Sequence, residues 1–324
     1  LITLSVIIPS YHRPENLRRC LEGLAGGARL PEETLVVLHE ADGESQETLA
    51  QLPEWAARLN LRTVLVTQAG QIPQMNAGLA QARCEVVCFT DDDCVPRPEW
   101  LARLAQPYGD PEVGGVGGRD VVHNLEGVNN APGKLVGRIT RYGRIIGNHH
   151  LVFPPGNREV EHLKGANMSF RRALTPPLDL RMVLGPGTGS MNDTDLSLSV
   201  RRSGCRLIYD PEAAVDHYPA PRHGITHRDL ANPEQVFLDS HNWAYLNYKH
   251  FSWPHRLLFL GYALALGSGN RLGLVKFLLA VVRRPRGAVR QYQAACRGLR
   301  AGLRDSREAR RSPAGGGQPG GGDS

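Results

Sequence analysis

Residues 85–94 read EVVCFTDDDC. Glu85 to Thr90 is a short apolar run rich in β-branched residues, the pattern of a buried strand. Three carboxylates follow at its carboxyl end. Crowded like charges there cost stability unless something positive binds. In extended chain Asp91 and Asp93 project to one side. Paired hard oxygens of this kind suit magnesium or manganese together with substrate phosphates.

Upstream the same kind of run recurs. Leu4 to Pro9, Leu35 to Leu38 and Arg62 to Val66 read as three more strands. Between them lie helical segments. Arg13–Pro14–Glu15 opens one, with Leu17, Cys20, Leu21 and Leu24 at helical spacing and Gly26–Gly27 at its end. Thr48 to Leu59 and Gln74 to Ala82 are expected to be helices. Strands alternating with helices indicate right-handed βαβ units and a parallel sheet. Ligands then bind outside the carboxyl ends of the strands. Those ends carry Pro9–Ser10–Tyr11, Glu40 to Asp42, and Asp91–Asp92–Asp93, which are predicted to share one rim.

Past residue 110 the pattern loosens. Val113 to Val122 (VGGVGGRDVV) reads as a strand broken by glycine, and 123–160 as a long ordered excursion. Gly114 to Gly118 fits neither GxGxxG nor the P-loop pattern, which disfavours a dinucleotide dehydrogenase and a P-loop NTPase. Residues 193–203 form a helix with Asp193 and Asp195 at its positive end, and Cys205 to Tyr209 a strand. Leu257 to Leu266 and Leu272 to Val282 are apolar but short of the ~20 residues a spanning helix needs, so buried, re-entrant or interfacial helices are expected.

The 324 residues include 41% hydrophobic and 22% charged side chains, which excludes a disordered chain, a collagen or a disulfide scaffold. The net charge of +6 is unevenly placed: residues 283–311 hold ten Arg, no Lys and two acids, +8, which leaves the remainder at −2. At 100° per residue, Arg286, Arg290, Arg297, Arg300 and Arg304 fall within about 80° of arc, and Val289, Tyr292, Cys296, Leu299 and Leu303 within another. This is an amphipathic helix with a basic flank, suited to an anionic membrane surface. Aromatic residues do not interleave with the Arg run, so nucleic acid is not expected. Cys20, Cys84, Cys88, Cys94, Cys205 and Cys296 form no CxxC and read as reduced thiols. The opening LITLSVIIPSYHRPEN lacks a basic n-region and a cleavage site, so a reducing, cytoplasmic setting is expected, peripheral on the inner face of the cell membrane.

In order along the chain stand SVIIPSYHRPENLRRCLEGL, QMNAGLAQARCEVVCFTDDDC, KGANMSFRR and NDTDLSLSVRRSGCRLIYDPEAAVDH. Together they resemble family 2 glycosyltransferases of bacterial type. The resemblance implies an α/β fold: a Rossmann-like, mainly parallel sheet of the A-type glycosyltransferase fold, with a C-terminal helical region. The resemblance covers roughly residues 4–217; with the composition and patterning of the remainder, the chain is expected to divide into a catalytic domain over 1–220, a membrane-associating helical region over 221–311 and a Gly-rich tail over 312–324. The resemblance implies that Pro9, Ser10, Tyr11, Arg13, Asn76, Asp91 and Asp92 hold the nucleotide sugar, with Glu40 and Asp42 both candidates for the base contact. Asp93 and His217 would hold Mn2+ or Mg2+. Gly165, Ala166, Asn167 and Asn192 would wall the donor sugar and acceptor, with Asn192 standing where the family has Glu. Asp193 matches the catalytic base of an inverting transfer from a nucleoside-diphosphate sugar, UDP first, to a glycan or lipid-linked acceptor. His223 and His227 have HxxxH spacing that Gly224 spoils, and stay unassigned. A processive synthase lacks support, because no Arg–Trp pair or spanning helix is present. A non-catalytic nucleotide-sugar-binding scaffold is the alternative that Asn192 favours.

Overall fold

Leu4–Ser10 forms β1, buried along its whole length and flanked by parallel partners on both sides. A strand wrapped in this way reads as an unbroken apolar run. The computed structural model describes residues 1–124, 127–182, 191–220, 232–269, 271–283 and 285–311. After β1 come α1 (Pro14–Ala25), β2 (Glu33–His39), α2 (Gly43–Ala50), β3 (Leu61–Val66), α3 (Gln71–Gln81), β4 (Val86–Phe89), β5 (Cys94–Pro96) and α4 (Trp100–Ala105). The long β6 (Val113–Asn124) leads to the short β7 (Gly127–Val128), β8 (Arg138–Ile139), β9 (Ile145–Ile146) and β10 (Arg158–Val160). Then follow β11 (Met168–Arg171), α5 (Asn192–Arg201) and β12 (Arg206–His217).

The main sheet runs β10-β12-β6-β11-β4-β1-β2-β3. β3, β2, β1 and β4 are parallel, β11 is antiparallel to both its neighbours, and β6 pairs parallel with β12. β5 adds to the free part of β12. The expected mainly parallel α/β sheet is therefore present. α1 buries Leu17, Cys20, Leu21 and Leu24, the spacing read from the sequence.

Three expected elements differ. Thr48–Leu59 is not one helix: α2 stops at Ala50, and a separate 3-10 turn covers Glu54–Leu59. Pro53 lacks an N–H and clashes with the preceding turn, so the helix cannot pass through it. α3 starts at Gln71, because Pro73 is tolerated in a first turn. The strand expected over Cys205–Tyr209 continues to His217. It does so through a bulge: Asp210 pairs with Gly118, but the next rung is Val215 with Asp120. Gly118 makes this possible, since a Cβ there would overlap the Ala213 carbonyl.

The chain divides into two compact units, Leu1–Thr140 with Arg144–Thr226, and Arg141–Gly143 with His227–Ser324. In the second, α6 (Pro233–His250), α7 (Trp253–Ala265), the hairpin β13 (Gly267–Ser268) and β14 (Arg271–Leu272), α8 (Leu274–Arg283) and α9 (Pro285–Arg311) follow in turn. α9 lies against α6 through a small-residue face. Ala294 and Ala295 are buried with Val236, and a Cβ on Gly298 or Gly302 would overlap the α6 backbone at Phe237 or His241. Trp243 packs edge-on to Phe259, and its indole donates to the Gly143 carbonyl at 2.6 Å. Among the described residues no helix is long and apolar enough to cross a membrane. The tail over 312–324 lies outside the described residues.

Candidate active site

The carboxyl ends of β1 and β4 meet at Asp92. Its carboxylate accepts from Ser10 Oγ at 2.7 Å and from Arg13 at 3.0 Å. Burial lifts the Asp92 carboxyl to about 7; the adjacent Asp93 charge adds to this, while Arg13 and Ser10 oppose it. Asp91 is half-buried and accepts from Gln71 Nε2 at 3.0 Å. Gln74, one turn along α3, ties the Ser10 and Val37 carbonyls together at 2.7 and 3.1 Å. Tyr11 leaves the strand 39% exposed, its ring beside His12 and His39. Pro9 is buried inside β1.

The acids after β2 separate by environment. Asp42 is fully buried; it caps α2 by accepting from Ser45 N at 3.1 Å and also accepts from His12 N at 2.7 Å. Glu40 is exposed. Asp42 is therefore occupied in shaping the rim, and Glu40 presents its carboxylate to solvent.

Strand register brings Asp93 and His217 together. His217 pairs opposite Cys94 on β5, and on its other side lies two rungs beyond Asp120 of β6. His217 Nε2 stands 3.3 Å from Asp93 Oδ1, and Nδ1 2.9 Å from Asp120 Oδ1. Asp120 is fully buried and its other oxygen is paired with Lys164. A carboxylate holding one ring nitrogen of a histidine fixes the tautomer and frees the other nitrogen for a metal. Burial would raise the Asp93 carboxyl, but His217, the Ala220 N–H and Arg13 outweigh it and hold it below the ordinary value. Asp93, Cys94 and His217 offer ligand atoms within 4.8 Å of one another. Burial and the neighbouring Asp charges push the Cys94 thiol well up, so it stays protonated and adds no soft thiolate. The remaining oxygen and imidazole donors fit Mn2+ or Mg2+.

Asp193 lies in the first turn of α5, after Met191 in the left-handed conformation. Gly165 N donates to its Oδ2 at 3.1 Å and Thr194 N to its Oδ1 at 2.7 Å. Asp193, Lys164, Thr194, His149, His150 and His162 share the wall of a cleft of about 250 Å³. His149 donates from Nε2 to the His162 carbonyl at 3.2 Å, while its buried Nδ1 has no hydrogen-bond partner among the described residues.

Three predicted residues have their side chains engaged within the protein. Asn76 exchanges two hydrogen bonds with the Leu178 backbone, at 2.9 and 2.7 Å. Asn167 is fully buried, accepting from Trp100 Nε1 and donating to the Arg119 and Ala213 carbonyls. Both amides are committed to scaffolding. Asn192 is buried against Met75. Of the expected wall, Gly165 meets Asp193, and Ala166 is buried with its carbonyl accepting from Thr90. His223 and His227 lie outside the described residues. The sequence reading missed Asp120, Lys164, Gln71 and Gln74. Asp120 carried a signal, an acid between the Gly-rich and Val-rich parts of a strand.

A family model described as Glycosyl transferase family 2 matches residues 5–175. Glycosyltransferase AglE of Haloferax volcanii is 28% identical over 117 residues, 36% of this chain and 38% of that protein. Pre-mycofactocin glycosyltransferase of Mycobacterium tuberculosis is 29% identical over 153 residues, 46% of this chain and 30% of that protein. The chain thus matches about a third of the length of these curated relatives. Among solved structures, mannosyltransferase PcManGT from Pyrobaculum calidifontis, in complex with GDP-Man and Mn2+, gives a TM-score of 0.52 at 16% identity, over 94% of this chain and 88% of that one. S. aureus TarS 1-349 in complex with UDP-GlcNAc gives 0.56 at 16% identity, over 96% and 92%. These likenesses show a shared A-type glycosyltransferase fold. The family match spans more than half of the chain and contains the rim from Ser10 to Asp93, though it ends before Asp193 and His217. On its sequence and its fold, the chain belongs to glycosyl transferase family 2.

Proposed function

We propose that the chain transfers a glycosyl group from a nucleoside-diphosphate sugar to an acceptor hydroxyl by single displacement, with inversion. One observation carries this reading: adjacent residues join the donor and acceptor sides. Lys164 pairs with Asp120, which orients His217 beside Asp93, and Gly165 N holds the Asp193 carboxylate.

Tyr11 offers an exposed ring for a base to stack on, and Glu40 an accessible carboxylate at the same rim. Ser10 and Arg13 fix Asp92, which keeps the acidic turn in one conformation. Asp93 and His217 would seat Mn2+ or Mg2+, a charge that would stabilise the diphosphate leaving group. Asp193 is held by two N–H donors and removes the proton of the attacking hydroxyl as general base.

UDP is the first donor nucleotide to test, with GDP beside it, since relatives of this fold were solved with UDP-GlcNAc and GDP-Man. A glycan or lipid-linked acceptor at the inner face of the cell membrane completes the proposal. In Asp193→Asn, nucleotide binding measured by calorimetry with Mn2+ is expected to be unchanged, and transfer to fall by about 10²–10⁴. Near-normal turnover would remove Asp193 as the base.

A further inference from the structure

Ten of the seventeen exposed large apolar side chains among the described residues fall within residues 253–282. They are not scattered. On α8, Leu274, Val275, Leu278, Leu279 and Val282 are 46–83% exposed at one-turn spacing, and none of the helix's residues is buried. On α7, Leu257, Leu258 and Leu264 share a second outward face, and Trp253 stands 68% exposed at its start. Soluble monomers rarely leave apolar surface of this extent uncovered.

The charge of the same unit is one-sided. Residues 240–304 contain eleven Lys and Arg and no Asp or Glu. Arg283 at the end of α8, and Arg286 and Arg290 just past it, are exposed. We propose that the outward faces of α7 and α8 dock on an anionic membrane surface. A bilayer supplies hydrocarbon and negative charge together, whereas a second copy of this chain would bring two cationic fields face to face. Ten residues of α8 span ~15 Å, half of a hydrocarbon core, so the helices lie in the interface rather than cross it. Trp253 is suited to the headgroup level. Residues 312–324 (SPAGGGQPGGGDS) hold no large apolar side chain that could cover this surface instead.

The docking helices are therefore not the one that amphipathic pattern singles out. α9 presents Ala294, Ala295 and Leu299 to the interior of its own unit, and Tyr292 stacks on Phe277 at 4.5 Å. Its exposed Arg residues contribute charge, and α7 and α8 contribute the apolar contact.

The test is co-sedimentation of the full chain with phosphatidylcholine vesicles, with and without phosphatidylglycerol. The wild-type chain should pellet with the anionic vesicles and be released by salt. The Leu278→Glu/Leu279→Glu double variant changes only exposed positions and should melt as wild type does. Its bound fraction should fall about tenfold or more. Wild type that stays in solution, or a double variant that pellets equally, would overturn the assignment. So would a lipid-free dimer, seen by light scattering, that the same double variant dissociates: the face would then join two copies. Vesicle binding is read without any transfer reaction, so its failure leaves the proposed chemistry untouched.

Discussion

Asp120 belongs to no recognised motif, yet it holds both the His217 ring and the Lys164 ammonium from a fully buried position. Asp120→Asn keeps the volume and gives up the charge, so His217 loses the partner that fixes its tautomer. Metal affinity should fall about 10–100-fold, read by Mn2+ titration of the free protein. Equal affinity would show that Asp120 only supports the sheet. Asp91 to Asp93 and Asp193 were legible because an acid cluster after a buried strand, or an acid at a helix start, is conspicuous in sequence. Asp120 and Lys164 were not, because their pairing depends on β6 meeting the loop before β11, 44 residues on. Asn167 shows the converse. It stands in a recognisable stretch, but residue type does not reveal that its amide turns inward to Trp100.

At the level of elements, the bulge in β12 does the positioning. Five steps along β12 match two along β6, which delivers His217 to the rung next to Cys94 and within reach of both aspartates. Gly118→Ala would drive a methyl into the Ala213 carbonyl, a backbone atom that cannot rotate away. The expected cost is about 1–3 kcal/mol, measured by chemical denaturation. A variant as stable as wild type would mean that the bulge relaxes freely. β1 to β4 were readable because fully buried parallel strands carry their signal in composition. The bulge was not, since DPEAAVDH has no alternation to follow. Nor was the outward orientation of α7 and α8: apolar helices read alike whether they face a core or water.

For the molecule as a whole, buried His149 adds a pH-dependent contribution to stability on the acid side. Burial takes His149 from 6.5 down to about 3, with His162 and His150 facing it and adding in the same direction. Tyr209 lies against it as well. Between those two values the unfolded chain takes up a proton that the folded chain refuses. The stability that this group contributes should therefore fall as pH drops from about 6.5 toward 3, by about 1.4 kcal/mol per unit. Denaturation at several pH values should show a shallower decline for His149→Gln, the residue left being His162, also lowered by burial. Identical slopes would sink the assignment to His149. One topological detail limits how the protein can be taken apart. Arg141–Gly143 belongs to the second unit although the first surrounds it in sequence, and the Trp243 indole is bonded to Gly143. A gene fragment beginning at 227 would leave that indole without its acceptor, at a cost of about 1–3 kcal/mol. A chimera built on this chain must therefore carry the tripeptide along with the C-terminal helices, as one cassette in two pieces.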